Sequence, residues 1–345
     1  MRIGSVNLPS PFAIAPMAGM TDTAFRRLVK RQGGCGLVVT EMVSAEGLVR
    51  GIDRTLEYAE YTEDERPISI QIFGGDPDNM AAAAQIVEGM GADVVDVNMG
   101  CPVAKIAKHQ AGCSLMREPG HAASVIAAMT KAVKIPVTVK MRAGWNDGQR
   151  NAPVLARMVE DAGAAAVAVH GRTAEQSYSG SADWELVARI ADDLAIPVFG
   201  SGDCIEPGQV IDRLRSGVEG VLVGRGVLRN PWILAQAADL AAGRPARDVT
   251  LAMRGQFVLD YIALLLSEHA EEPEAFRHVA GVARRAIRPV NEKWVINKIR
   301  ALGSWYTKGL DNGSHLRTAI NSAQSLDALR ATLATFFFDT VPAAV

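Results

Sequence analysis

From residue 11 to about 242 the chain repeats one unit: a short β-branched apolar run, a glycine-rich or polar turn, then an alanine-rich amphipathic stretch. The apolar runs fall at 12–17 (FAIAPM), 37–42 (LVVTEM), 68–73 (ISIQIF), 93–98 (DVVDVN), 137–141 (VTVKM), 165–170 (AAVAVH), 197–200 (PVFG) and 220–224 (GVLVG). Stretches of helical period lie between them, at 78–90, 120–133, 151–162, 183–194 and 207–216. Pro67, Pro136 and Pro197 each stand just before an apolar run, where proline stops the preceding segment and starts an extended one. Near-continuous apolar strands alternating with helices predict a parallel sheet covered by helices on its outside. Eight such units over about 230 residues is the count and length of a (β/α)8 TIM barrel, an α/β fold. A doubly wound open sheet is the alternative; it usually has fewer units, and no G-x-G-x-x-G follows the first strand here.

After about 242 the strand pattern stops. Residues 249–271, 274–287, 291–307, 314–323 and 325–337 carry helical periodicity, with breaks at Gly243–Pro245, Pro273, Pro289 and Gly309–Gly313. The expected organisation is a catalytic barrel over 1–242 followed by a small C-terminal all-α helical bundle over 243–345, with no low-complexity linker between them.

Composition narrows the class. Of 345 residues, 48% are apolar and 21% charged, which describes a folded chain and excludes a disordered tail. A formal net charge of -2 argues against a generally cationic nucleic-acid binder, yet leaves room for a local basic face. Cys35, Cys101, Cys113 and Cys204 are scattered without CxxC spacing, as expected of reduced thiols, with no disulfide framework and no metal site. Pro9, Pro11 and Pro16 follow Arg2 and break any signal-peptide core, and no apolar run approaches the ~20 residues of a membrane span. A cytoplasmic protein without membrane contact is the expectation.

A barrel's chemistry sits at the C-terminal ends of its strands. Here those ends carry Pro16-Met17-Ala18-Gly19, Gln71, Asn98-Met99-Gly100-Cys101-Pro102, Lys140 with Arg142, His170-Gly171-Arg172-Thr173, Gly200-Ser201-Gly202-Asp203 and Gly224-Arg225-Gly226. The loops after strands seven and eight form the customary phosphate site of such barrels, where glycine amides receive an anion. GSGD and GRG suit that role, though either alone could be an ordinary tight turn. Lys140 should point into the barrel mouth, where a buried ammonium needs an anion. It could steady the charge of a reduced flavin, form a Schiff base, or sit in an interior ion pair. Cys101, fixed ahead of a proline, has a thiol whose ordinary pKa near ~8.5 keeps it protonated and able to donate a proton. His170 and Arg172 could hydrogen-bond the carbonyls of a heterocycle.

These residues resemble the tRNA-dihydrouridine synthase family, most of all its bacterial B-type branch. The likeness runs through APMAGMTDTAFR (15–26), TEMVSAEGL (40–48), QIFGGDP (71–77), DVNMGCPVAKI (96–106), VTVKMRAGW (137–145), AVHGRT (168–173), VLVGRGVLRNPW (221–232) and IRALGSWYTKGL (299–310). NMGCP together with VKMR and HGRT is the specific combination. The resemblance implies FMN held by Pro16, Met17 and Ala18 under the ring, by Gln71, Lys140 and His170 around it, and by Ser201, Gly202, Asp203, Gly224 and Arg225 at the phosphate. It implies NADPH as reductant and a uridine flipped out of tRNA, with hydride passing to C6 and a proton from Cys101 to C5. Asn98, Lys140, His170 and Arg172 would orient the base. The family's phosphate loop commonly reads GNGD; Ser201 replaces that Asn, a change a backbone-amide cradle tolerates.

A local basic face fits an RNA partner. Arg277, Arg284, Arg285, Arg288, Lys293, Lys298, Arg300 and Lys308 fall between 277 and 308 against the single acid Glu292, interleaved with Trp294, Trp305 and Tyr306. The charges suit phosphate contact, with Arg284, Arg285 and Arg288 foremost, and the aromatics suit a bundle core. Lys105 and Lys108, after Cys101, could meet the RNA as the base enters. A monomer would suffice. The competing readings are an FMN barrel acting on a free small molecule, which leaves the basic helices unexplained, and a non-catalytic RNA-binding protein, which Cys101, Lys140 and His170 argue against.

Overall fold

The computed structural model describes residues 1–103, 106, 110–270 (backbone alone at 268–270), 276–278 and 291–339. Among these residues, eight parallel strands run in order around a barrel. They are β1 (Phe12–Ile14), β2 (Val38–Val39), β3 (Ile68–Phe73), β4 (Val94–Met99), β5 (Val137–Arg142), β6 (Ala166–His170), β7 (Val198–Ser201) and β8 (Gly220–Val223). β8 pairs with β1, and a parallel bridge between Ala13 and Leu37 closes the ring.

Period-two alternation sorts the side chains. Ile14, Val38, Ile70, Val97, Val139, Val167 and Val221 face outward into the layer shared with the helices. Ala13, Leu37, Val39, Ala168, Phe199 and Leu222 face inward, where Ile3 and Leu8 of an N-terminal hairpin (Arg2–Ile3 against Val6–Asn7) join them. Phe199 fills its place because Gly220 faces it: a Cβ there would lie 2.3 Å from the ring.

The expected second strand is split. Val39 pairs with Ser69, but Val43 pairs with Ile72, so β2 and its short continuation Val43–Ser44 carry one extra residue against β3. Thr40 causes the break. Its hydroxyl accepts the Gln71 N–H (3.0 Å), taking a ladder donor away from the main chain.

The covering helices begin where side chains can cap them. Asp22, Asp76 and Asp183 accept N–H groups of the first turns of Thr23–Gln32, Pro77–Gly89 and Trp184–Asp193. Pro77, Pro119 and Pro207 sit where a missing N–H costs nothing.

C-terminal helices Leu251–Ala270, Glu292–Tyr306, Gly313–Ser322 and Leu326–Phe338 pack on one another and on the barrel's first helix. Phe25 meets Phe257 and Tyr261 edge-on, with centroids 6.1 Å apart in each pair. Tyr306 lies in this core with Trp305 packed against it. One expectation is corrected. Within the helix expected over 274–287, Phe276–Arg277 is a strand, antiparallel to Tyr61–Thr62. Tyr61–Thr62 supplies the edge it pairs with, and Arg277 binds Glu63 at 2.6 Å. The other residues of 274–287 lie outside the described residues.

Arg26 shows how the barrel's first helix is anchored. It is 2% exposed, donates to the fully buried Glu65 at 2.6 Å, and also binds the carbonyls of Thr21 and Glu60. Arg26→Met leaves that carboxylate buried and unpaired, and is expected to destabilise the fold by about 3–5 kcal/mol. Urea unfolding followed by circular dichroism measures it; a loss well under 1 kcal/mol contradicts the assignment.

Candidate active site

The inward positions of β3, β4 and β5 are mostly polar, whereas on β6 and β7 only the terminal residues His170 and Ser201 are. Gln71, Asp96, Asn98, Thr138 and Lys140 bring their side chains together in the upper barrel. Gln71 Nε2 donates to Asp96 (2.7 Å), Thr138 Oγ1 donates to Asp96 (2.6 Å), and Asn98 Nδ2 donates to Gln71 (2.8 Å). Burial pushes the Asp96 carboxyl up from its ordinary value. Beside this network a cavity of about 30 Å³ is lined by Pro16, Ser69, Asp96, Thr138 and Lys140, with Ile3 below.

Lys140 has no hydrogen bond or ion pair among the described residues. Desolvation, with Arg142 alongside, brings its pKa down to about 8. A cation held this way is an unmet demand for an anionic partner. His170 is neutral across the physiological range: desolvation, then Lys140, Arg142, Arg172 and Arg225, push it down to about 2.

Cys101, partly exposed, is held by its neighbours on every side. The N–H groups of Gly100 and Cys101 both donate to Asn98 Oδ1 (3.1 and 2.9 Å). Arg142 Nε donates to the Gly100 carbonyl (2.8 Å), and Cys113 N–H donates to the Cys101 carbonyl (3.1 Å). Arg142 also reaches the carbonyls of Thr173 and Ser177, clamping the loop after β4 to the loop after β6. Burial drives the other thiols up, Cys35 to about 11, Cys113 to about 11 and Cys204 to about 12.

At β7 and β8, Gly202 (φ +125°) lies against the His170 ring, and a Cβ there would sit 2.5 Å from Ala182 Cβ. Asp203, at φ 55°, accepts the Ala182 N–H (2.7 Å) and pairs with Arg172 (2.8 Å) and Arg225 (3.4 Å). Its carboxylate therefore holds two arginines; only its main chain is left to face an anion. Arg172 is 2% exposed and bound to the carbonyls of Ser179 and Gly180, while its Nη1 is buried without a partner among the described residues. Gly224 brings the eighth loop against the first, since a Cβ there would lie 3.5 Å from Met17 Sδ. Pro16 and Met17 are half-buried and Ala18 is exposed at the edge of the mouth.

The structure thus brings together Pro16, Met17, Ala18, Gln71, Asn98, Cys101, Lys140, His170, Arg172, Ser201, Gly202, Asp203, Gly224 and Arg225 at one end of the barrel. Lys105, Lys108, Arg284, Arg285 and Arg288 lie outside the described residues. Of the remaining basic residues expected to face RNA, Lys298 instead enters the mouth: Nζ binds Asp22 (2.9 Å) and the Gly19 carbonyl (3.1 Å). Asp22 also accepts the Tyr261 hydroxyl (2.7 Å), so the C-terminal helices fix the loop after β1. Arg300 is engaged with Asn297 and the Ala323 carbonyl, whereas Lys293 and Lys308 are exposed. Asp22 and Asp96 were not among the expected site residues, and Arg142, noted at its strand end, was given no role. Period two did carry a signal for Asp96, Thr138 and Arg142, which share strand faces with Asn98 and Lys140.

A lysine in the mouth and an arginine nitrogen, both without a partner among the described residues, and two glycine loops at β7 and β8 suit an anionic, phosphorylated ligand at the mouth of a (β/α)8 barrel. The family model described as dihydrouridine synthase matches residues 13–338. A probable tRNA-dihydrouridine synthase of Rickettsia bellii is 36% identical over 344 residues, covering 99% of each chain. The tRNA-dihydrouridine synthase B of Xanthomonas axonopodis pv. citri is 35% identical over 347 residues, covering 100% of this chain and 98% of its own. A probable tRNA-dihydrouridine synthase of Mycobacterium tuberculosis is 36% identical over 341 residues, covering 95% and 82%. This chain belongs to the dihydrouridine synthase family.

No helix among the described residues is long and apolar enough to cross a membrane, and no group of three or more His, Cys, Asp or Glu among them could hold a metal ion.

Proposed function

We propose that this protein reduces the C5=C6 bond of uridine in the D loop of tRNA, with FMN as its flavin and NADPH as the reductant, acting as a monomer in the cytoplasm. The observation that carries the reading is the pairing of a clamped, partly exposed Cys101 with an unpartnered Lys140 across one barrel mouth. FMN, when bound and reduced by NADPH, supplies a hydride to C6 of the uracil.

The chain's own groups do the rest. Cys101 Sγ gives the proton to C5 and recovers one from solvent. Lys140, charged below about pH 8, and the neutral His170 ring face the carbonyl region where negative charge develops. Arg172, held rigid by Asp203, supplies its free Nη1 to the same anionic surroundings. Asn98 has one amide face toward the Cys101 loop and the other toward Gln71, which keeps the proton donor and the ring-binding side chain in fixed register. Main-chain groups of Ser201, Gly202, Asp203, Gly224 and Arg225 would cradle the FMN phosphate, and Pro16, Met17 and Ala18 would underlie the ring.

The barrel and its C-terminal helices divide the work: a catalytic unit over 1–242 and a tRNA-binding unit over 243–345, with Lys105, Arg284, Arg285 and Arg288 meeting phosphates. Replacing Arg284, Arg285 and Arg288 together with Ala should weaken tRNA binding and reduce the slope of log K against log salt by about 1 for each phosphate no longer neutralised. Filter binding at several ionic strengths reads both; an unaltered slope would place the RNA on another face.

A further inference from the structure

The hydrogen bonds beneath Cys101 form a chain whose direction is set by groups that have no choice. A main-chain N–H can only donate. Gly100 and Cys101 donate to the Asn98 side chain at 3.1 and 2.9 Å, so the atom facing them is the amide oxygen. The Asn98 amide nitrogen must then find an acceptor, and at 2.8 Å that is Gln71 Oε1. Gln71 Nε2 must find one in turn, and at 2.7 Å that is Asp96 Oδ2. The other Asp96 oxygen takes the Thr138 hydroxyl at 2.6 Å. Turning over either amide alone would set donor against donor or acceptor against acceptor.

Asp96 is 6% exposed and makes no ion pair among the described residues, although Lys140, which lines the same cavity, acts on its carboxyl through space. Burying an acidic side chain is costly unless its oxygens are hydrogen-bonded, and here each takes one donor, so its place in the network is as an acceptor. We propose that Asp96 is a positioning residue for Cys101: as the terminal acceptor it fixes the orientation of the Gln71 and Asn98 amides, and through Asn98 it fixes the backbone that carries the thiol. The kinetic consequence rests on Cys101 being the proton donor; the positional one does not.

Asn in place of Asp96 can still present an oxygen to Gln71 while its amide nitrogen donates to Thr138 Oγ1. It keeps the chain and removes the charge. Ala removes the acceptor, and Ser withdraws it by one bond. Thr138→Val deletes the hydroxyl but leaves the acceptor for Gln71 intact.

The test is the rate at which iodoacetamide alkylates Cys101 in the full-length protein, without tRNA or reductant, located by peptide mass spectrometry. The other three cysteines are buried with thiols pushed up to about 11 or 12, so Cys101 is the one labelled. Asp96→Ala and Asp96→Ser should raise the rate about fivefold, as the loop loses a hydrogen-bonded anchor, and lower kcat for dihydrouridine formation about tenfold with KM little changed. Asp96→Asn should restore both to within about twofold of wild type, and Thr138→Val should resemble Asn. Alkylation unchanged in folded Ala or Ser variants, or Asn behaving as Ala does, overturns the proposal. Altered alkylation in a protein that makes no dihydrouridine upholds the positioning and removes the proposed reaction instead.

Discussion

Cys101→Ala is expected to leave the flavin bound and reducible by NADPH while lowering dihydrouridine formation by about 10²–10⁴, the usual worth of a positioned general acid. The separation follows from where the thiol sits. Its backbone is tied to Asn98, Arg142 and Cys113, none of which depends on the sulfur. Removing Sγ therefore takes away a proton and leaves the mouth standing. Anaerobic bleaching of the flavin by NADPH, compared with turnover on tRNA, distinguishes the steps. Unchanged turnover would take Cys101 out of the mechanism; loss of flavin would make it a structural residue.

Lys140→Met is the second large effect, and it should fall on both cofactor and substrate chemistry. The ammonium is the one cation of the mouth without a partner among the described residues, and removing a preorganised charge of this kind lowers rates by about 10²–10³. It also predicts a pH dependence whose sign is fixed. A lysine depressed to about 8 is charged below that pH and neutral above it, so wild-type kcat/KM should decline as pH rises through about 8. An anion bound beside the amine moves the step upward in kcat. The Met variant should lose the step that the Lys140 charge contributes. His170, held neutral down to about 2, should contribute no step between pH 5 and 8. A wild-type profile that rises through pH 8, or a Met variant whose profile matches the wild type throughout, contradicts the role.

The barrel was legible because its eight strands carry one outward stripe of Val and Ile that period two exposes, and because prolines mark where several begin. The split of the second strand was not, since it depends on the Thr40 hydroxyl meeting Gln71 N–H, a partner thirty-one positions away in sequence. Phe276–Arg277 shows the same limit: its residues carry a helical pattern, and the edge at Tyr61–Thr62 pairs them as a strand. At the site, strand ends located Cys101, Lys140 and His170 because topology alone brings them to one mouth. Charge clustering assigns Lys298 to the RNA face, yet it ion-pairs with Asp22 beside the first loop. Charge counts along a helix do not reveal which acid the fold has set opposite. Asp96 was hidden by a similar rule, since an acid inside a strand pattern has no obvious partner until the neighbouring strands supply Gln71 and Thr138.

The central claim is a reaction, and the most direct measurement is nucleoside mass spectrometry of tRNA lacking dihydrouridine after incubation with the purified flavoprotein and NADPH. A rise in dihydrouridine matched by a fall in uridine, absent without NADPH, is the predicted result. Flavin that is reduced by NADPH and promptly reoxidised by small-molecule acceptors, with no dihydrouridine in the tRNA, would contradict it.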